Sequence, residues 1–237
     1  MMKHFSYPFR PVLFLVLLFF AHSVPARAQD VTALVMKVKA KLDQVKDYSA
    51  TGKMKTNVAF IKAPVGSVKV FYKKPNLFRL QRNGGISVLP KGGVSVNIGN
   101  MIIMDGFTAL DAGTGQVGIH KTRIVKLLPN GENNDVILST LYIDEVSLLI
   151  RKSVTTTREN GTYEMEMDYG KFASYGLPDK VYFSFNAKDY KLPKGITMEF
   201  DDTDKVTKDK MSGKKGRVEI TYTAYEINKG IPDGFFK

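Results

Sequence analysis

The sequence predicts a mostly β protein of the α+β class: one curved antiparallel sheet, an incomplete β-barrel, with an N-terminal amphipathic helix covering its concave face. Three observations predict it. One apolar stripe of helical period is followed by period-two alternation through most of the chain, and Gly- and Asn-rich turns punctuate that alternation at hairpin spacing, with no βαβ interval.

The helix comes first. Val31, Leu34, Val35, Val38, Leu42 and Val45 form one apolar stripe, Asp30 is placed to cap its start, and Lys37, Lys39, Lys41 and Lys46 lie off the stripe. From Tyr48 the period becomes two. Tyr48, Ala50, Gly52, Met54, Thr56, Val58 and Phe60 share one face, while Ser49, Thr51, Lys53, Lys55 and Asn57 share the other. Val68, Val70 and Tyr72 alternate in the same way with Ser67, Lys69 and Lys73, and Val94, Val96 and Ile98 with Ser95 and Asn97. One face of the sheet is therefore buried and the other wet. Turns are expected at Asn83-Gly84-Gly85, Lys91-Gly92-Gly93, Asp105-Gly106, Gly113-Thr114-Gly115, Pro129-Asn130-Gly131 and Asn160-Gly161. Residues 122–138, TRIVKLLPNGENNDVIL, fit the alternation least and read as a short helix or a lid.

The first 28 residues read as a secretory signal peptide. Lys3 and Arg10 precede an apolar run from Val12 to Ala21, and Ala26-Arg27-Ala28 supplies small residues at the cleavage positions. That run is about half of the ~20 residues needed to span a bilayer. Residues 29–237 then form a single exported domain, which places the protein in the periplasm. No cysteine follows the apolar run, so the chain is not expected to carry a lipid anchor of its own.

Composition excludes much chemistry. With no cysteine, and with His4 and His22 inside the leader, thiol catalysis, disulfides, zinc fingers and multi-histidine metal sites are excluded. His120 is the one imidazole left, in GQVGIHKT, without a nucleophile elbow. Asp201, Asp202 and Asp204 lack the spacing of a calcium loop. No Gly-rich phosphate loop is present, so no enzyme activity and no cofactor or metal are expected. The formal charge is +12, but export argues against nucleic acid, and alternate-position lysines describe a solvated sheet face. The densest basic stretch, residues 204–217, reads either as a solvated hairpin tip or as a weak attractor of lipid headgroups.

VKAKLDQVKDYSATGKMKT, an amphipathic helix running into a first strand, followed by VFYKKPNLF, resembles the start of the periplasmic outer-membrane lipoprotein carriers, the LolA-like family. MDGFTALDAGTGQV and LYIDEVSLLIRKSVTTTRENGTYEMEMDYG are similar to later strand-turn-strand stretches of that family. The resemblance implies a half-open barrel closed by helices, whose apolar hollow shields the acyl chains of a lipoprotein between membranes. Each exposed CH₂ costs about 0.8 kcal/mol, so sheltering one long chain is worth on the order of 10 kcal/mol before ordering costs.

By parity, Met54, Val58, Phe60, Val70, Tyr72 and Phe78, with Leu34 and Val38 of the helix, are the candidate lipid-binding residues. The same side chains would equally line a packed core. In the family, the residue before the corner proline is an arginine that latches the lid; here it is Lys74, which has no bidentate fork, and Arg79 is a candidate second latch. The implied partners are an acylated lipoprotein or lipid as cargo, an inner-membrane loading complex and an outer-membrane acceptor, with the carrier itself a monomer. A second reading on the same fold is a regulatory module that senses lipid or lipoprotein.

Overall fold

The computed structural model describes residues 31–57, 65–75, 77–83, 106–130, 135–158, 161–186 and 215–236. Helix α1 (Val31–Leu42) buries Val31, Leu34, Val35 and Val38 on one face, and its last turn carries Lys39 and Lys41, which suit the negative end of the helix dipole. The stripe outlasts the helix: Val45 is buried too, but in the turn that leads into the sheet. Asp30, the expected cap, lies outside the described residues.

Ten strands follow: β1 (Asp47–Asn57), β2 (Gly66–Lys73), β3 (Leu77–Asn83), β4 (Phe107–Val117), β5 (His120–Pro129), β6 (Val136–Asp144), β7 (Leu149–Thr157), β8 (Gly161–Asp168), β9 (Lys180–Asn186) and β10 (Lys215–Ile227). They form one antiparallel sheet in the order β3-β2-β1-β10-β9-β8-β7-β6-β5-β4. The last strand thus lies between the first and the ninth. Among the described residues β3 and β4 are the edge strands, and the sheet is not closed into a barrel.

Size forces the sheet to curve. Ten strands laid flat would span about 43 Å, whereas a 12-residue helix is only about 18 Å long. Yet α1 packs against edge strand β4, its Lys41 Nζ donates to the Ser147 carbonyl after β6, and Leu42 meets Gly176 between β8 and β9. Asp43, just past the helix, is bonded by Lys74 of the β2–β3 corner. Only a sheet wrapped around the helix brings all of these to one short element.

Alternation holds where the sequence showed it: β1 from Tyr48 and β2 bury every second residue, and the outer face carries cross-strand pairs such as Lys152–Glu164 at 2.8 Å and Lys180–Glu219 at 3.4 Å. Two expectations are corrected. Gly113-Thr114-Gly115 is no turn; it is a bulge inside β4, where the register slips between Asp111 and Thr114 and Gly113 takes a positive φ of 87°. The real hairpin turn is Gly118-Ile119, with Val117 paired to His120. Within 122–138, residues 122–129 and 136–138 are neither helix nor lid. They belong to β5 and β6, and their alternation was hidden because Ile124 and Leu128 put apolar side chains on the outer face, opposite Val125 and Leu127. The expected strand at 94–98 and the turns at 83–85 and 91–93 fall, wholly or in part, outside the described residues.

Gly52 is the tightest backbone approach in the sheet. A Cβ there would lie 2.5 Å from the Thr221 carbonyl oxygen, beside the register shift that admits Thr223 as an extra residue in β10. Gly52→Ala is therefore expected to lower stability by about 1–3 kcal/mol, measurable as a fall in the denaturation midpoint with the m-value unchanged; an unaltered midpoint would mean that β1 and β10 are not held this closely.

Candidate functional site: the inner face and its closed end

Most of the inner face is apolar. Met54 on β1, Val70 on β2, Ile220 on β10, Phe183 on β9, Met165 on β8 and Leu141 on β6 are at most 1 % exposed and belong to one cluster with the helix. Of the sequence candidates, Met54, Val70, Tyr72, Leu34 and Val38 are all in that cluster, and Phe78 packs half-buried against it from edge strand β3. Val58 and Phe60 lie outside the described residues. Tyr72 has a particular place. It stacks with Tyr48 (5.4 Å between centroids), which meets Tyr225 (5.5 Å), which in turn meets Tyr222 and Phe172. These rings floor the inner face at the end where β1 begins. Burial raises the pKa of Tyr48 and of Tyr222, and the Tyr225 hydroxyl is spent on the Pro178 carbonyl at 2.8 Å. Tyr48, Tyr222 and Tyr225 are therefore held as neutral phenols in this floor.

The helix is tied down at the same end. Lys74 Nζ donates to the carbonyl of Asp43 (2.7 Å) and to its carboxylate (2.8 Å), while Lys39 reaches that carboxylate from the helix (2.7 Å). Burial alone would raise the Asp43 pKa, but the hydrogen bonds from Lys39 and Lys74 and their charges outweigh it and hold the carboxyl below its usual range. Arg79 acts on a different segment. Its guanidinium donates to the Phe235 carbonyl and lies 5.3 Å from that ring's centroid, so it clasps the C-terminal turn (Asp233–Phe236). Phe71 stacks on Phe235 at 4.4 Å, and Lys73 bonds Asp233 at 2.6 Å. Asn228 completes the closure, accepting from the Lys46 amide at 2.7 Å and donating to the Gln44 carbonyl at 2.9 Å.

His120 starts β5 with Nδ1 3.7 Å from Asp144, but that carboxylate is already taken. It accepts from Arg151 at 3.0 Å and from the amides of Val146 and Ser147 at 3.1 Å. Desolvation would raise its pKa; the bonds from Ser147 and Arg151 prevail and set it at about 2. The group organises the β6–β7 turn. Among the described residues, no group of three acidic or histidine side chains could hold a metal. Asp201, Asp202, Asp204 and most of the basic stretch at 204–217 lie outside those residues; Lys215, Gly216 and Arg217 open β10.

Sequence reasoning missed one feature of this face. β7 turns Ser153, Thr155 and Thr157 inward, all buried, beside Ser139 of β6. Serine and threonine read as solvent-facing in a strand, so the run SVTTT gave no sign of which parity was buried.

No protein-family model matches the chain, and no curated protein does. Solved structures do. A DUF1329 family protein from Desulfovibrio piger is similar over 87 % of this chain and 97 % of its own, with a TM-score of 0.51 and 11 % identity. That likeness is one of fold alone. An outer membrane lipoprotein-sorting protein domain from Vibrio parahaemolyticus, described as putative in its published title, is similar over 86 % of this chain and 94 % of its own (TM-score 0.48, 11 % identity). A LolA superfamily protein from Nitrosomonas europaea is similar over 86 % and 97 % (TM-score 0.47, 7 % identity). The sequence's fold class, a mostly β chain with one large antiparallel sheet and a packed helix, is the fold observed among the described residues.

Two outcomes follow from this end of the molecule. Lys74→Met removes both bonds to Asp43, and amide hydrogen exchange in residues 31–42 should speed up by about three- to tenfold; unchanged protection there would show that Lys74 does not hold the helix. Asp144 is depressed in the folded state, so its contribution is present above the unfolded carboxyl pKa and is lost as pH falls through about 2. Asp144→Asn should cost about 2 kcal/mol at pH 7, with the gap to wild type closing in denaturation curves taken towards pH 2.

Proposed function

We propose that the chain is a non-enzymatic periplasmic carrier, a protein that takes the acyl chains of a lipoprotein or lipid against the inner face of its sheet and releases them at a second membrane. The single observation that supports this most is a mismatch of surfaces. A sheet about 43 Å wide, with strands some 25 Å long, presents on the order of 1,000 Å² of inner face, while a three-turn helix about 10 Å across covers roughly a fifth of that. An ordinary helix-on-sheet core would match its layers. Here a broad apolar sheet is paired, among the described residues, with one short helix tethered mainly at its C-terminal end.

The chemistry required is exchange of apolar contacts. An acyl chain leaves one hydrocarbon environment for another, so direction follows from the acceptor's affinity and no bond is made or broken. The tether fits that task. Its bonds from Lys74, Lys39 and Lys41 are half-exposed and individually modest, so the helix can yield without the sheet unfolding. Leu34, Val38, Met54, Val70, Tyr72 and Phe78 are then the lipid-contacting residues, with Val58 and Phe60 beside them in sequence, and Lys74 is the latch; Arg79 steadies the sheet edge. Loading and unloading fall to partners in the two membranes.

The deciding experiment is native mass spectrometry of residues 29–237 purified from the periplasm of the natural host, followed by denaturing extraction. A bound acyl lipid or lipoprotein, retained less well by Lys74→Met, is the expected result. A protein that is ligand-free and stays so after incubation with lipoprotein-bearing membranes would overturn the carrier reading.

A further inference from the structure

The inner face is not uniformly apolar. β7 places Ser153, Thr155 and Thr157 on it in succession, at 0 %, 1 % and 6 % exposure, a run of about 13 Å along the strand. Register sets Ser139 of β6 opposite Thr155 on one side and Tyr163 of β8 opposite it on the other. In the register row of Ser153 the neighbouring strands carry Leu141, Met165, Phe183 and Val218, and the row ends on Thr56 of β1. The hydroxyls of β7 and Ser139 thus form a patch flanked by hydrocarbon side chains.

Most of these hydroxyls have partners. Ser139 and Thr155 share a hydrogen bond of 3.1 Å, Thr157 donates to the Gly161 carbonyl at 3.2 Å, and Tyr163 is bonded to Thr155. Ser153 does not. Its Oγ is wholly buried and bonded to nothing, directly beside Leu141 and Met165 in the register. A buried hydroxyl without a partner costs about 1–3 kcal/mol, and alanine in its place would avoid that cost. A wall built only to hold methylene groups has no use for it.

Resting on the carrier reading above, we infer that this patch is the subsite for the acyl ester carbonyls of the ligand, with Ser153 Oγ as the unpaired donor and Thr155 and Tyr163 as its polar surround. An ester-linked diacylglyceryl group has two carbonyl acceptors at the root of its chains. Seating them at β7 satisfies the serine and fixes how deep the chains enter. A bare hydrocarbon chain leaves the serine unpaired, so the site selects ester-linked acyl groups over ether-linked or unsubstituted ones. The chemistry is shared by a glycerolipid and by the diacylglyceryl cysteine of a lipoprotein.

The test compares matched ligands on the whole protein, residues 29–237: a diacylglycerol, the dialkyl ether of the same chain length, and a synthetic diacylglyceryl-cysteine peptide, each titrated by competition with a fluorescent fatty acid. The wild type is expected to prefer the diester to the diether by about five- to tenfold. Ser153→Ala should abolish the preference by weakening the diester alone. Equal affinity of the wild type for diester and diether, with both binding well, overturns the ester subsite and leaves the carrier intact. Binding of none of the three, with the fluorescent probe also excluded, overturns the carrier reading itself. If the diester preference extends to the lipopeptide, the lipoprotein is the source; if the lipopeptide binds without regard to Ser153, the subsite serves glycerolipid only.

Discussion

Everything described in this molecule depends on one mismatch: a ten-stranded sheet with a buried inner face has, among the described residues, a single short α-helix to hold. Curvature follows from it, because only a wrapped sheet lets the helix meet β4 and the turns after β2, β6 and β8 together. Gly52 follows as well. The bend between β1 and β10 brings the Thr221 carbonyl within reach of any side chain at that position, which leaves room for hydrogen alone.

The C-terminal end of the helix is firmly held. At its C-terminal end Lys39, Lys41 and Lys74 converge with Asp43 and the Ser147 carbonyl, and the aromatic floor of Tyr48, Tyr72, Tyr222 and Tyr225 lies at the same end of the strands. The C-terminal segment is clamped there too, through Asn228 to the loop before β1 and through Arg79 and Phe71 to Phe235. Modest polar bonds thus anchor the helix and the C-terminal segment at one closed end of the strands.

Much of the fold was legible because period-two burial is a local property. Tyr48 to Thr56 and Val68 to Tyr72 have one wet face and one dry one, so their parity is written in the residue types. β5 and the bulge in β4 were not legible, for opposite reasons. Ile124 and Leu128 add apolar residues to the outer face and blur the alternation, while Gly113 and Gly115 imitate a turn that the pairing with Arg123 and Thr122 extends into strand. Lys74 was recognisable as a latch candidate from its place before Pro75. Its partner was not, since Asp43 lies 31 positions away and meets it only when the sheet curls.

By itself, the sequence determined the helix, the strand parity of β1 and β2, the exclusion of thiol chemistry, and the basic outer face, since each depends on residue type and near neighbours. Tertiary structure alone decided the strand order that sets β10 beside β1, the assignment of Arg79 to the C-terminal turn, the engagement of Asp144 by Arg151, and the inward parity of Ser153, Thr155 and Thr157. Those are pairings between distant segments. The free energy that selects them comes from wrapping the whole inner face at once, and no local stretch of chain carries it.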